Sequence, residues 1–200
     1  MEGFILIGGQ SSRMGTDKFA LNLNGQTFLE IAIETLQKAG IEKVSISVNQ
    51  SEPLLSISEL AIVKDIYQNR GALGGIHSAL THSESYLTII LACDYPFVSV
   101  ELIRFLMDIA QTENEFDAIA PIQADGRIQP LCAVYRTETC RQRLSERLEN
   151  KAEKYSVRDF LNRIQTRYLQ FSEIDELPNA ENFFFNVNTP ADFERAKNLL

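Results

Sequence analysis

Positive charge is scarce in this chain: 200 residues carry 19 Lys and Arg against 27 Asp and Glu, a formal net charge of −8. That balance speaks against a nucleic-acid partner, since such binders are basic on the contact face, and against an anionic membrane surface. Cysteine is equally sparse. Cys93, Cys132 and Cys140 lie far apart and no Cys-x-x-Cys occurs, which excludes the usual zinc and redox spacings. Cys93 and Cys132 sit among apolar neighbours and read as small buried residues; thiols of this kind suit a reducing cytoplasm. The two histidines, His77 and His82, are not spaced to share a helix face and are expected to be structural or solvent-facing rather than metal ligands. No apolar run approaches the roughly 18 residues of a membrane span. No basic stretch precedes an apolar one at the start, so no secretory leader is expected.

Two common phosphate-binding spacings are missing as well. No Gly-Lys dipeptide occurs, so there is no P-loop, and Gly-x-Gly-x-x-Gly is absent. In their place the apolar run Phe4-Ile5-Leu6-Ile7 opens into Gly8-Gly9-Gln10-Ser11-Ser12-Arg13-Met14-Gly15-Thr16-Asp17-Lys18. Glycine lets a backbone approach an anion closely, and successive N–H groups in such a turn form an anion-binding concavity. Arg13 and Lys18 add positive charge in a chain that has little of it, and arginine can fork across two phosphate oxygens. The segment is also longer than the roughly 2–6 residues of an ordinary α/β connection. A nucleoside triphosphate site at the start of the fold is the reading these residues favour over a plain polar loop.

The rest of the chain alternates strand-like and helix-like runs. Strands are expected at 4–7, 43–48, 61–63, 86–92, 118–121, 131–135, 167–171 and 183–185. Helices are expected at 28–39, 73–80, 100–110, 137–148, 156–161 and 190–200. Gly40 stops the first helix, Ser99 caps the third, and Thr189 with Pro190 opens the last. The order predicts an α/β fold of one domain, a mostly parallel sheet with helices on both faces. Strands late in the chain can add a small antiparallel annex.

In such a sheet ligands bind beyond the carboxyl ends of the strands, and the polar residues there are Gly8 to Lys18, Asn49, Asp65, Asp94 and Asn188. Asp94 is the sharpest of them. A carboxylate ending a fully apolar strand is costly to bury unless it is paired or metal-bound, and Ser99 already supplies the next helix cap. Asp94 therefore reads as a Mg²⁺ ligand that shares the ion with phosphate oxygens. Asn188 is either a second ligand through its amide oxygen or a turn residue, and Asn186 is expected to brace the turn. Gly71, Gly74 and Gly75, read as preceding a helix, serve either close approach to a nucleotide or tight helix–sheet packing.

The motif Leu6-Ile7-Gly8-Gly9, then Ser12-Arg13-Met14-Gly15, then Asp17-Lys18 resembles the signature loop of the molybdenum cofactor guanylyltransferases, part of a wider nucleotidyltransferase family. Gly71-Ala72-Leu73-Gly74-Gly75, Leu91-Ala92-Cys93-Asp94-Tyr95-Pro96-Phe97, Gly126-Arg127-Ile128-Gln129-Pro130-Leu131 and Phe185-Asn186-Val187-Asn188-Thr189-Pro190 resemble its later segments, in the same order. The resemblance implies a Rossmann-like nucleotidyltransferase fold over residues 1–200, GTP and molybdopterin as substrates, and Mg²⁺ as cofactor. It implies nucleotide contacts at Leu6, Ile7, Gly8, Gly9, Ser11, Ser12, Arg13, Lys18, Asn49, Asp65, Gly71, Gly74, Gly75 and Asp94. Asn49 and Asp65 can equally be turn and loop-start residues. Arg127 and Gln129 match the segment that faces the acceptor. Lys18, Arg13 and Asp94 carry the chemistry, Asp94 and Asn188 the metal. Transient contact with molybdenum-cofactor insertion and delivery proteins, and a monomer or weak oligomer, complete the expectation.

Three residues depart from the family's usual wording. Ile7 is larger than usual and is expected to crowd the base, Ala72 replaces proline, and Tyr95 stands where a smaller residue is common. Two other readings remain open. One is a different nucleotidyl transfer, of CMP to molybdopterin or of a nucleotide to a sugar phosphate. The other is a non-catalytic GTP-binding adaptor of cofactor delivery.

Overall fold

The computed structural model describes residues 1–8, 18–49, 60–149 and 155–199. Seven strands form the main sheet: β1 (Glu2–Ile7), β4 (Val44–Val48), β5 (Ala61–Lys64), β6 (Leu87–Ala92), β7 (Ala118–Pro121), β8 (Cys132–Arg136) and β9 (Thr166–Leu169). Their order across the sheet is β5-β4-β1-β6-β8-β7-β9. All pairs are parallel except those of β8, which runs antiparallel to both β6 and β7. A separate antiparallel pair, β2 (Asn22–Leu23) and β3 (Gln26–Thr27), comes from the early part of the chain.

Alternation along the strands divides the core into two layers, because successive side chains leave opposite faces. Ile5, Ile46, Ile89 and Val134 pack with α1 (Phe28–Lys38) and α3 (Val100–Thr112). Phe4, Ile90, Ala133 and Tyr135 pack with α2 (Ala72–His82), α4 (Thr137–Leu148) and α5 (Val157–Leu161). Helices thus cover both faces. A third cluster joins Leu23, Phe28, Phe97, Val187 and Ala196 of α6 (Pro190–Lys197). It buttresses the two segments that carry Asp94 and Asn188.

Local chemistry fixes most element ends. Thr27 and Glu30 form a reciprocal capping box on α1, and Gly40 takes φ 102° just after its end. Ser99 caps α3 by accepting the Leu102 N–H at 3.2 Å, as its position predicts. Thr189 caps α6 in the same way, with Pro190 at the first helical position.

Three expectations need correction. Residues 183–185 form no strand: a 3₁₀ turn at Ala180–Asn182 follows Asn179 at φ 65°, and the Phe185 N–H donates to the Asn182 carbonyl at 2.9 Å. Phe183 and Phe184 still reach the core, so the aromatic run reflects burial without a ladder. Gly74 and Gly75 do not precede α2 but lie in its first turn. Ile7 points into the α1–α3 layer, whereas Leu6 faces the α2 side; the bulk of Ile7 is absorbed by the core rather than crowding the rim.

Candidate active site

The parallel strands β5, β4, β1 and β6 all end at one edge, so Asp65, Asn49, Gly8 and Asp94 lie along it. Ladder bonds continue past the strands there: the Asp65 N–H donates to the Val48 carbonyl at 3.0 Å and the Cys93 N–H to the Leu6 carbonyl at 3.2 Å. β1 lies between β4, the next main-sheet strand in the chain, and β6. The connections leaving β1 and β6 therefore diverge, and this switch point is where α/β sheets open a crevice. The turn after β7 and the start of antiparallel β8 reach the same edge and bring Arg127 and Gln129 to it.

At the switch point Lys18, Asp94 and Asn188 meet. The Lys18 Nζ lies 3.3 Å from Asp94 Oδ2 and also donates to Asn188 Oδ1. Both Lys18 and Asp94 retain about a fifth of their side-chain exposure (19% and 20%), open enough for a ligand and dry enough to strengthen charge–charge contacts. The Val187 N–H donates to the Asp94 carbonyl at 3.4 Å and ties the two segments together. Asn188 sits at both the site and the helix entry: its amide oxygen accepts from Lys18, while its N–H donates to Asp192 Oδ2 at 3.2 Å at the entry to α6.

The oxygens of Asp94 and Asn188 converge on one ammonium group. That donor set, one carboxylate and one amide oxygen, fits a hard divalent cation that keeps water and phosphate oxygens in its other positions. Among the described residues no cluster of three or more His, Cys, Asp or Glu competes for a metal. Nearby, the buried Asn186 Oδ1 has no hydrogen-bond partner. The Asn186 amide acts on the Tyr95 hydroxyl in the direction that lowers its pKa, a smaller effect than burial.

On the β5 side the sheet and α2 come very close. A Cβ on Gly74 would sit 2.8 Å from the Tyr67 carbonyl oxygen, and one on Gly75 would sit 3.0 Å from Leu6 Cδ2. The packing reading of these two glycines is thus realised. Gly71, at φ 54° with open space around it, caps α2. Asp65 lies beneath this turn and accepts from Ser47 Oγ at 3.5 Å. Burial pushes its carboxyl up to about 6, and the Ser47 bond only partly offsets this. Asn49 is exposed at the end of β4. Gly9, Ser11, Ser12 and Arg13 lie outside the described residues.

On the β8 side Arg127 is largely exposed and paired with Asp125 at 2.6 Å. Gln129 is buried: its Oε1 accepts from the Tyr95 hydroxyl at 2.9 Å and its Nε2 donates to Gln123 Oε1 at 2.6 Å. Burial, then the Asp94 carboxylate, pushes the Tyr95 hydroxyl above its ordinary range, so it remains a donor. Tyr95 and Gln123 are the site-adjacent residues that sequence reading leaves without a role. Their partnership depends on the β6–β8 register, and only the unusual size of Tyr95 signals it. Ala72 holds the first position of α2, the one helical position where proline also fits.

The three cysteines are buried and form no disulfide, and burial raises the Cys132 thiol to about 12. His77 is buried against Ser145 of α4, and the His82 ring bonds the Ser78 carbonyl, so both are structural. Among the described residues no helix is long and apolar enough to cross a membrane.

Comparison with known proteins agrees with this layout. Residues 3–168 match the family model described as a MobA-like NTP transferase domain. A probable molybdenum cofactor guanylyltransferase of Pelotomaculum thermopropionicum is 34% identical, over 98% of this chain and 91% of that one. A protein of the same description from Bacillus cereus is 33% identical, over 98% and 94%. The crystal structure of molybdopterin-guanine dinucleotide biosynthesis protein A from Archaeoglobus fulgidus superposes with a TM-score of 0.81, at 25% identity, over 100% of this chain and 98% of that one.

Proposed function

The chain belongs to the MobA-like NTP transferase family, and we propose that it is a one-domain enzyme transferring GMP from GTP to the terminal phosphate of molybdopterin. The products are molybdopterin guanine dinucleotide and pyrophosphate. The observation that carries this reading is the Lys18 ammonium held by both Asp94 and Asn188 at the switch point. It sits between two halves of the rim. Asp65, Asn49 and Gly71 line the half taken by the nucleotide, and Arg127 with the turn before β8 lines the half taken by the acceptor.

An acceptor phosphate oxygen forms a bond to the α-phosphorus while the bond from that phosphorus to the pyrophosphate oxygen breaks. The attacking group is already an anion, so no general base is needed, in keeping with a rim that has no histidine. Lys18, with Arg13, stabilises the charge that spreads over the phosphoryl oxygens and the leaving pyrophosphate. Asp94 and Asn188 orient Lys18 and supply the two oxygens that would hold the cation. A divalent cation such as Mg²⁺ held there would supply positive charge that offsets the charge of the phosphate oxygens. Asp65 accepts hydrogen bonds from the nucleotide, and the glycines of α2 let the helix start lie close beneath it. Three buried cysteines without a disulfide support a cytoplasmic setting, where the product passes to cofactor-insertion and delivery proteins by transient contact.

GTP labelled at its α-phosphorus, supplied with Mg²⁺ and molybdopterin, tests the reading. The label is expected in the dinucleotide; label that stays in GTP contradicts the proposal.

A further inference from the structure

The turn that holds Asp94 and the acceptor half of the rim are joined by a relay of side chains that begins one residue after Asp94. The Tyr95 hydroxyl donates to Gln129 Oε1 at 2.9 Å, and Gln129 Nε2 donates to Gln123 Oε1 at 2.6 Å. Gln123 Nε2 donates to Asp125 Oδ2 at 3.3 Å, and the same oxygen accepts from Arg127 Nε at 2.7 Å. Gln129 is only 6% exposed, so its amide cannot turn to water for replacement partners, and its orientation is dictated by the donor at Tyr95 and the acceptor at Gln123. The backbone fixes the rest of the turn: Gln123 N–H donates to the Arg127 carbonyl at 2.9 Å, and Gly126 turns at φ 85°. At the other end the Tyr95 ring meets Phe184 edge-on at 6.2 Å. Tyr95 therefore touches the turn that holds Asp94, the segment that leads to Asn188 and the turn that carries Arg127. The Arg127 guanidinium ends this chain of contacts, paired with Asp125 and with its side chain 71% exposed to an approaching anion.

We infer that Tyr95 is a positioning residue: through Gln129, Gln123 and Asp125 it sets the place of Arg127, and hence of an anionic acceptor, relative to the phosphoryl-transfer centre at Lys18 and Asp94. This rests on the proposed acceptor half of the rim. It assigns Tyr95 no contact with either substrate. Its hydroxyl acts on where the acceptor phosphate is held, not on the nucleotide.

Tyr95→Phe keeps the ring on Phe184 and deletes only the hydroxyl. It is expected to raise the acceptor KM about tenfold, the scale of leaving one buried acceptor unpaired, with kcat and the GTP Kd within about twofold. Gln129→Met cuts the same relay, so the double variant is expected to be no worse than the poorer single one. Backbone hydrogen exchange at Gln123, Gly126 and Arg127 is expected to quicken in Tyr95→Phe while β6 and α2 keep their protection. This readout needs no turnover, so it decides the relay even where the acceptor is wrong; that separate failure shows as wild-type protein that transfers nothing to molybdopterin. Unchanged exchange in the turn overturns the inference. So do an unchanged acceptor KM in a turning-over protein, and parallel losses of kcat and GTP affinity, which would make Tyr95 a packing residue only.

Discussion

Replacing Asp65 by Asn is expected to make the protein more stable and less able to bind nucleotide. Its carboxyl is raised from the ordinary 3.8 to about 6, chiefly by burial. For an acid whose folded pKa is raised, the folded state binds more protons than the unfolded one between those values. Stability therefore falls as pH rises from about 4 to about 6 and stays low above. The full displacement corresponds to at most about 3 kcal/mol. Asp65 is only partly buried, and solvent screening reduces this to about 1–2 kcal/mol, or roughly 2–8 °C in Tm for a chain of this size. Denaturant unfolding of wild type and Asp65→Asn at pH 7.5 and pH 4 measures it. The variant is expected to gain about 1–2 kcal/mol at pH 7.5 and to match wild type within about 0.5 kcal/mol at pH 4. The comparison at each pH subtracts the opposing effect of His77, whose pKa burial lowers. Calorimetric GTP titration of the same variant is expected to show at least about tenfold weaker binding, as for loss of a charged hydrogen-bond acceptor. A variant less stable at pH 7.5, or one whose gain is the same at both pH values, refutes the argument.

Lys18→Ala is expected to lower kcat by about 10²–10³, the scale of losing one transition-state donor, while far-ultraviolet circular dichroism stays unchanged. Asp94→Ala is expected to abolish Mg²⁺-dependent pyrophosphate release and to retain the wild-type Tm within a few degrees; full activity in either variant would remove that residue from the chemistry. Gly74→Ala places a Cβ 2.8 Å from the Tyr67 carbonyl, so thermal unfolding is expected to show a loss of about 1–3 kcal/mol, larger than the roughly 1 kcal/mol that alanine gains in helix propensity.

The centre of the sheet was legible because its strands are buried on both faces and read as apolar runs. β6, Leu87 to Ala92, is the clearest case, with every residue buried. The rim followed only in part from strand order: Lys18 lies 76 residues from Asp94 and 170 from Asn188; Asp94 follows the parallel strand β6, whereas Asn188 reaches the rim through a segment without a strand, tied to it by the Val187 N–H on the Asp94 carbonyl. The sequence marked the β2–β3 hairpin with Asn24-Gly25, whose residues take φ 52° and 89°, a strong turn signal. A search for long periodic runs passes over strands of two residues. The phenylalanines at 183–185 misled for a physical reason: aromatic side chains favour any half-buried surface, and here a 3₁₀ turn provides it. The Tyr95–Gln129 pair was not legible at all, since it exists only in the register that sets Leu91 opposite Cys132.

Transfer of GMP from GTP to a pterin phosphate is the activity proposed for this rim. Pyrophosphate release measured with Mg²⁺, molybdopterin and each of the four nucleoside triphosphates in turn tests it most directly. Release with GTP alone, lost when molybdopterin is omitted, is the predicted result. Release with CTP alone, or none with any triphosphate despite measurable GTP binding, contradicts it.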